Sequence, residues 1–260
     1  WGVLFPLLSQ SYKLCNSNKR RKIIGISALP GTGKSTLGLF VEKLSLKLNF
    51  KLTVISIDDF YLPNYEMELA VKNNPWNVSR GFPGSHSTLL LKEKLSNWQR
   101  TGMLSFPVFD KSINNGLGDR SHWKNETPDL VILEGWFLGL NPSISKVNNS
   151  LEIEPPLSSS EILYRLKIQN NLKDYIDIWN LVDIVWHLKA EKFSFLNLWK
   201  RQQEKEMFLK RGVSLSEENL VSFIRMLNVA LPQNSFDKIK SDFLFIINQD
   251  RKLISLSLNN

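Results

Sequence analysis

The sequence predicts an α/β fold, a doubly wound parallel sheet flanked by helices, and three observations carry that reading. Short apolar, β-branched runs alternate with stretches of helical period. A glycine-rich turn separates the first such run from the first helix, and two later runs end abruptly in acidic residues. At 260 residues the chain fits one large domain, with a core over about residues 22–250, and nothing in it reads as a domain linker.

Taken in order, Lys22–Ser27 is a buried strand and Gly31-Thr32-Gly33 breaks it. Leu37, Phe40, Val41 and Leu44 then fall at helical spacing over residues 34–48. Leu52–Ile57 is the second strand. Residues 58–80 are polar, hold Pro63 and Pro75, and read mainly as connection. Residues 88–99 form a helix, and residues 105–128, rich in Gly, Asn, Asp and Pro, read as a long functional loop. Leu130–Leu133 is a third strand, apolar throughout as a strand covered on both faces should be. A Ser/Pro/Asn-rich connection follows over residues 143–160, then a fourth strand over residues 183–188. A strongly charged helix starts at Phe195, another spans residues 217–231 and stops at Pro232, and residues 243–248 close the set as a fifth strand.

Composition narrows the function classes. Cys15 is the sole cysteine, which excludes an intrachain disulfide framework and a Cys-rich zinc site and fits a reducing compartment. No apolar run approaches the roughly 20 residues of a membrane-spanning helix, and the apolar stretch over residues 1–8 lacks the charged leader of a secretion signal. A cytoplasmic protein is expected. Because the chain starts at Trp1, an upstream targeting peptide would be invisible. With 33 Lys plus Arg against 25 Asp plus Glu, the formal charge is +8. That excess attracts anions in general, nucleotides included. The basic run Lys19-Arg20-Arg21-Lys22 has no interleaved aromatics, so it reads as a solvated start of the first strand and no nucleic-acid partner is expected.

The strongest motif is Ala28-Leu29-Pro30-Gly31-Thr32-Gly33-Lys34-Ser35-Thr36, set between a strand and a helix. That context defines a Walker A phosphate loop, or P-loop. Gly31 and Gly33 let the backbone curl so that several N–H groups converge on phosphate oxygens, and the helix N-terminus adds its positive dipole end. Residues 30–36, Pro30 and Thr36 included, therefore form the predicted nucleotide site. Lys34 faces the β- and γ-phosphates, and the Ser35 hydroxyl can ligate Mg²⁺. Ala28 stands where such loops usually have their first glycine; the converging amides lie further along.

Acids at strand ends separate the chemistries that share this loop. The second strand runs into Asp58-Asp59-Phe60-Tyr61, facing the same crevice as the phosphate loop in a parallel sheet. A carboxylate there takes the proton of an attacking hydroxyl or helps hold Mg²⁺; otherwise Asp58 caps the turn that follows. The third strand ends in Glu134-Gly135, the Walker B arrangement for Mg²⁺. The guanine-reading Asn-Lys-x-Asp of GTPases is absent from the chain, which favours a kinase. The charged run Trp199-Lys200-Arg201-Gln202-Gln203-Glu204 suits a helical lid over about residues 192–212, with Arg201 as the cation that stabilises developing charge. The bland alternative is a solvated helix face with i,i+4 pairs such as Lys200 with Glu204.

Several blocks then occur in register: residues 58–63, Arg80-Gly81-Phe82-Pro83-Gly84-Ser85-His86, Phe109-Asp110-Lys111-Ser112 with Gly118-Asp119-Arg120, and Glu134-Gly135-Trp136. The set resembles the D-glycerate 3-kinases of plant and cyanobacterial type, within the phosphoribulokinase, uridine kinase and pantothenate kinase group. Asn171-Leu172 with Tyr175 and residues 214–223 are similar to the same family. The resemblance covers roughly residues 22–231 and implies ATP-dependent conversion of D-glycerate to 3-phosphoglycerate, the closing step of photorespiration where that pathway operates. It also implies a plastid stroma location if a transit peptide precedes the chain. By position it makes Asp58 the general base and places Tyr61, Arg80, His86, Asp110, Lys111 and Arg120 around the acceptor. A guanidinium pairs bidentately with a carboxylate, so Arg80 and Arg120 suit a small hydroxy acid. Where the family has Asp after the His of its first block this chain has Ser87, and where its lid reads Trp-Arg this chain has Trp199-Lys200-Arg201. The alternatives are a uridine- or pantothenate-like acceptor, a non-catalytic nucleotide-binding regulator, and an ATPase acting on nucleic acid.

Overall fold

The computed structural model describes residues 2–17, 20–114, 117–143, 153–212 and 214–258; Lys19 and half of the connection over 143–160 lie outside the described residues. The strands are β1 (Lys22–Ala28), β2 (Leu52–Ser56), β3 (Leu104–Asp110), β4 (Asp119–Glu126), β5 (Leu130–Gly135), β6 (Ile184–Ala190), β7 (Phe243–Ile247) and β8 (Leu253–Leu258). The helices are α1 (Leu4–Ser17), α2 (Lys34–Lys47), α3 (Asn64–Ala70), α4 (Thr88–Thr101), α5 (Ser159–Asn171), α6 (Ile176–Trp179), α7 (Phe195–Arg211) and α8 (Glu217–Val229).

Six strands form the central sheet in the order β2-β5-β1-β6-β7-β8. All neighbours run parallel except β8, which returns antiparallel to β7. The parallel strands are covered on both faces, and β5 is buried at every position. Period-2 alternation divides their side chains between two cores: Ile23, Val131 and Leu133 face one side, whereas Ile24, Ile26, Leu130 and Ile132 face the other. The second core is closed by Leu4, Leu7 and Leu8 of α1 and Val41 of α2. The first takes Leu91, Leu95 and Trp98 of α4, with side chains from α5, α7 and α8. The three from α4 sit at i, i+4 and i+7, one stripe of the helix, which ends at Gly102 with φ 84.

Four sequence expectations change. The stretch read as a long loop over 105–128 holds an antiparallel ribbon, with Leu104 opposite Glu126 and Asp110 opposite Asp119. Its second strand is Asp-Arg-Ser-His-Trp-Lys-Asn-Glu and mostly exposed, so no apolar alternation announces it; pairing with β3 supplies its backbone bonds. The apolar start of the chain is helix α1 packed on the sheet, and an additional strand, β8, follows the expected fifth strand, β7. Within the polar connection, residues 64–70 form the short helix α3. Among the described residues no helix is long and apolar enough to cross a membrane.

Trp98 is wholly buried and its indole N–H donates to the Pro128 carbonyl at 3.0 Å, tying α4 to the approach to β5. Trp98→Ala removes that packing and leaves the carbonyl unpaired, so a loss of about 3–5 kcal/mol of unfolding free energy is expected in urea titrations. A loss below about 1 kcal/mol would contradict this placement of α4.

Candidate active site

The carboxyl ends of the parallel strands converge. Glu134 is in register with Ile26 on one side and Ser56 on the other, so the phosphate loop, the Asp58 turn and the end of β5 meet at one edge of the sheet. They line a crevice of about 2360 Å³. The crevice continues beyond this edge, along α2 to Leu46 and to Leu4 of α1.

The phosphate loop wraps into α2 through Gly31 and Gly33, at φ 78 and 95. Gly31 is needed for space as well. A Cβ there would lie 2.7 Å from Trp199 Cβ and 2.8 Å from its backbone carbonyl, so α7 rests directly on the loop. The Trp199 indole N–H reaches the Gln249 carbonyl at 2.7 Å, and Arg251, whose guanidinium stands 5.6 Å from the centre of the Trp199 ring, donates from Nε to the Gly31 carbonyl at 2.7 Å. Arg251 was not singled out from the sequence; it follows the last parallel strand, with no motif around it. Lys34 Nζ turns onto the Ala28 and Leu29 carbonyls at 2.8 and 3.1 Å and lies 3.9 Å from Glu134 Oε2. Burial pulls its pKa below that of a free lysine, against the charges of Glu134 and Asp58. Ser35 Oγ donates to Glu134 Oε1 at 3.3 Å. The two predicted metal-binding oxygens are therefore neighbours.

The two adjacent aspartates separate into different tasks. Asp59 folds back to accept the Ser56 amide at 3.0 Å, and Ser56 Oγ accepts the Asp58 amide at 3.2 Å, closing a capped turn over residues 57–60. Asp59 therefore holds the turn and Asp58 projects into the crevice. Asp58 Oδ2 accepts Lys111 Nζ at 2.8 Å, and Oδ1 lies 3.7 Å from His86 Nε2. Burial alone would raise the Asp58 pKa; Lys111 and His86 outweigh it and hold the carboxyl well below the usual range.

The other predicted positions divide between the crevice and its wall. Tyr61, Arg80 and Lys111 line the crevice. Arg80 donates to the Leu117 carbonyl and its guanidinium stands 5.6 Å from the centre of the Phe109 ring. His86 lies behind Asp58 with no exposed side-chain surface. Arg120 spans from the Tyr61 carbonyl to Ser87 Oγ, at 2.8 and 2.7 Å from Nη2, so a neutral hydroxyl occupies the place of the family's acid. Asp110 accepts the Ser112 amide and hydroxyl within its own turn. On α7, Arg201 is ion-paired with Glu217 at 2.6 Å and half exposed, whereas Lys200 lines the crevice. Lys200 Nζ is 2.6 Å from Glu204 Oε1 and 4.7 Å from the centre of the Phe223 ring. Sequence reasoning weighed Lys200 only as a surface i,i+4 partner; the one-residue offset in the lid block was the available sign that the inward cation differs.

Comparison with known proteins gives a consistent picture. No protein-family model matches the chain. An uncharacterized kinase of Schizosaccharomyces pombe is 31% identical over 225 residues, covering 82% of this chain and 80% of that protein. The chloroplastic D-glycerate 3-kinase of Arabidopsis thaliana is 33% identical over 215 residues, covering 78% of this chain and 45% of that longer protein. The solved D-glycerate 3-kinase of Cryptococcus neoformans superimposes with a TM-score of 0.78 at 25% identity, covering 99% of this chain and 97% of that one. The chain belongs to the family of P-loop kinases that contains these proteins. It is a phosphotransferase that uses ATP and an alcohol group of a small molecule.

Burial pushes the Asp59 carboxyl up to about 6, with Asp58 and Glu134 adding to it and the bond from the Ser56 amide opposing it. A folded-state pKa above the unfolded value means that Asp59 favours folding fully below about pH 4 and loses that contribution as pH rises through about 6. Asp59→Asn keeps an acceptor for the Ser56 amide. The stability of the wild type relative to Asp59→Asn should therefore fall between about pH 4 and 6, by no more than about 3 kcal/mol, and level off above. A difference that is flat or rises over that interval in urea titrations would contradict the assigned environment.

Proposed function

We propose that this kinase phosphorylates D-glycerate to 3-phospho-D-glycerate. The observation that carries the reading is the Lys111 ammonium held 2.8 Å from Asp58 at the acceptor side of the crevice, with Arg80 lining the same wall. A small acceptor bearing a carboxylate beside its hydroxyl matches that order of charges. Its carboxylate takes Lys111 and Arg80, which frees Asp58 Oδ2 to accept the hydroxyl proton. The relatives named as D-glycerate 3-kinases support the same acceptor.

In the reaction, the acceptor oxygen attacks the γ-phosphorus of ATP in line, the bond from that phosphorus to the β–γ bridging oxygen breaks, and ADP leaves. The proton passes to Asp58. The amides of residues 31–36 and the Lys34 ammonium stabilise charge on the transferred group. A hydroxyl and a carboxylate 3.3 Å apart, Ser35 and Glu134, fit Mg²⁺, which takes oxygen ligands and completes its shell with water and phosphate. When bound, the metal neutralises phosphate charge. Within the lid, α7, Lys200 rather than Arg201 supplies the inward cation. Glu204 holds it in reserve and also accepts the Leu215 amide at 3.1 Å, tying α7 to the approach to α8.

ADP release in the presence of Mg-ATP should appear with D-glycerate and not with L-glycerate, uridine, pantothenate or no acceptor. Turnover on another acceptor would sink the substrate assignment and leave the kinase chemistry intact. With the productive acceptor, Asp58→Asn should lower kcat by about 10²–10⁴, and an unchanged kcat would remove Asp58 as the base.

Lys200→Met should lower kcat by about 10²-fold, whereas Arg201→Met should stay within about two-fold of the wild type. The reverse order would return the role to Arg201.

A further inference from the structure

Behind Asp58 lies a buried side-chain chain that acceptor binding does not explain. His86 is fully enclosed: Tyr61 stacks on its ring with centroids 4.5 Å apart and 22° between planes, Tyr175 meets it edge-on at 5.9 Å, and Phe137 closes the third side at 5.8 Å. The ring is also fixed by the backbone. Tyr61 and His86 form an isolated antiparallel bridge, and the Ser87 amide donates to the Phe60 carbonyl at 2.7 Å. The histidine is thus anchored to the same turn that carries Asp58.

The hydrogen bonds set its tautomer. The Tyr175 hydroxyl accepts the Gly84 amide at 3.1 Å and lies 2.7 Å from His86 Nδ1. Burial pushes the phenol pKa up, so the hydroxyl keeps its proton. The arrangement that leaves no hydroxyl hydrogen unpaired has Tyr175 donating to Nδ1. Burial pulls the imidazole pKa down, so the ring is neutral and its single proton sits on Nε2. That Nε2 is buried without a hydrogen-bond partner and points at Asp58 Oδ1, 3.7 Å away and beyond bonding distance. A buried donor left unpaired carries a free-energy cost, and at a reactive carboxylate it calls for an explanation.

We infer that Tyr175 and His86 are positioning residues that hold the Asp58 carboxylate for proton abstraction, with His86 Nε2–H taking up Oδ1 once the acceptor's carboxylate has drawn Lys111 away from Oδ2. In the ground state Lys111 holds Oδ2 at 2.8 Å while Oδ1 stays 3.7 Å from Nε2. Loss of that partner exposes an ionised group in a partly buried site. A shift of under 1 Å brings Oδ1 within hydrogen-bond distance of Nε2, about 2.8–3.0 Å. Oδ1 is then occupied, and the free lone pairs of Oδ2 face the hydroxyl. His86 transfers no proton: the hydroxyl proton ends on Asp58, and the imidazole stays neutral throughout. This inference rests on the reading of Asp58 as the base.

The test is steady-state kinetics on the full chain with the acceptor that supports turnover, comparing Tyr175→Phe, His86→Leu and His86→Gln with the wild type. Tyr175→Phe should lower kcat by about 3- to 10-fold and His86→Leu by about 10- to 100-fold, the scale of a misplaced reacting group. KM for both substrates should stay within about two-fold. His86→Gln, which returns a donor near the Nε2 position, should recover part of the loss. A rise in acceptor KM with kcat unchanged would make His86 an acceptor ligand and overturn the relay. Equal losses for His86→Gln and His86→Leu would do the same. Should His86→Leu fail to fold, Tyr175→Phe, which removes one oxygen, decides by the same split between kcat and KM. Adding Tyr175→Phe to Asp58→Asn should cause no further loss. Full additivity, with Asp58→Asn itself strongly impaired, rejects the relay while leaving Asp58 as the base, whereas a fully active Asp58→Asn rejects the base assignment and the relay with it.

Discussion

The active crevice depends on the in-register pairing of β2, β5 and β1. Their parallel hydrogen bonds set Ser56 opposite Glu134 and Glu134 opposite Ile26, so three chain segments distant in sequence end at one level. Side chains alternate between two apolar cores along each strand. A one-residue slip of β5 would send Glu134 into the opposite face and bring Val131 and Leu133 out of their core. The free energy of burying both faces therefore also fixes the separation of Ser35 from Glu134. Catalytic geometry and core packing are here one constraint.

Around that frame, three lysines of the crevice are paired with acids. Lys34, Lys111 and Lys200 each meet a carboxylate within 4 Å: Glu134, Asp58 and Glu204 respectively. Such pairs offset the cost of taking charge out of water before any ligand arrives. They also mean that substrate binding is an exchange of partners. On the proposed reading, phosphate replaces carbonyl oxygens on Lys34, and an acceptor carboxylate replaces Asp58 on Lys111. The adjacent acids Asp58 and Asp59 show how small the local difference need be. Asp59 is consumed by the backbone of its own turn, and that fixes the turn which presents Asp58.

Much of this was legible in the chain. The glycine spacing and the strand on its left located the phosphate loop, because a tight left-handed turn has few other sequence solutions. Apolar runs ending in acids located Asp58 and Glu134, since an isolated carboxylate after a buried strand has to emerge at the sheet edge. The ribbon of β3 and β4 was hidden because its second strand is exposed and polar, so its stability comes from pairing rather than pattern. Helix α1 was hidden because an apolar stretch acquires a direction only when it meets Leu52 and Phe245 across the sheet.

By itself the sequence determined the fold class, the nucleotide loop and the acids at the strand ends, since each is written as local spacing or as apolar periodicity. Which side chain of each neighbouring pair faces the chemistry was decided by tertiary structure. Both acids line the crevice, but Asp58 rather than Asp59 is left to meet Lys111 because a capping bond captures the other. On α7, Lys200 rather than Arg201 lines the crevice because consecutive helix positions lie about 100° apart and the close contact of Trp199 with Gly31 sets the helix rotation. His86 stands behind the carboxylate rather than beside the acceptor because Tyr61, Phe137 and Tyr175 enclose it. Spacing along a chain sets which residues are close in sequence; packing against other elements sets the direction in which each one points.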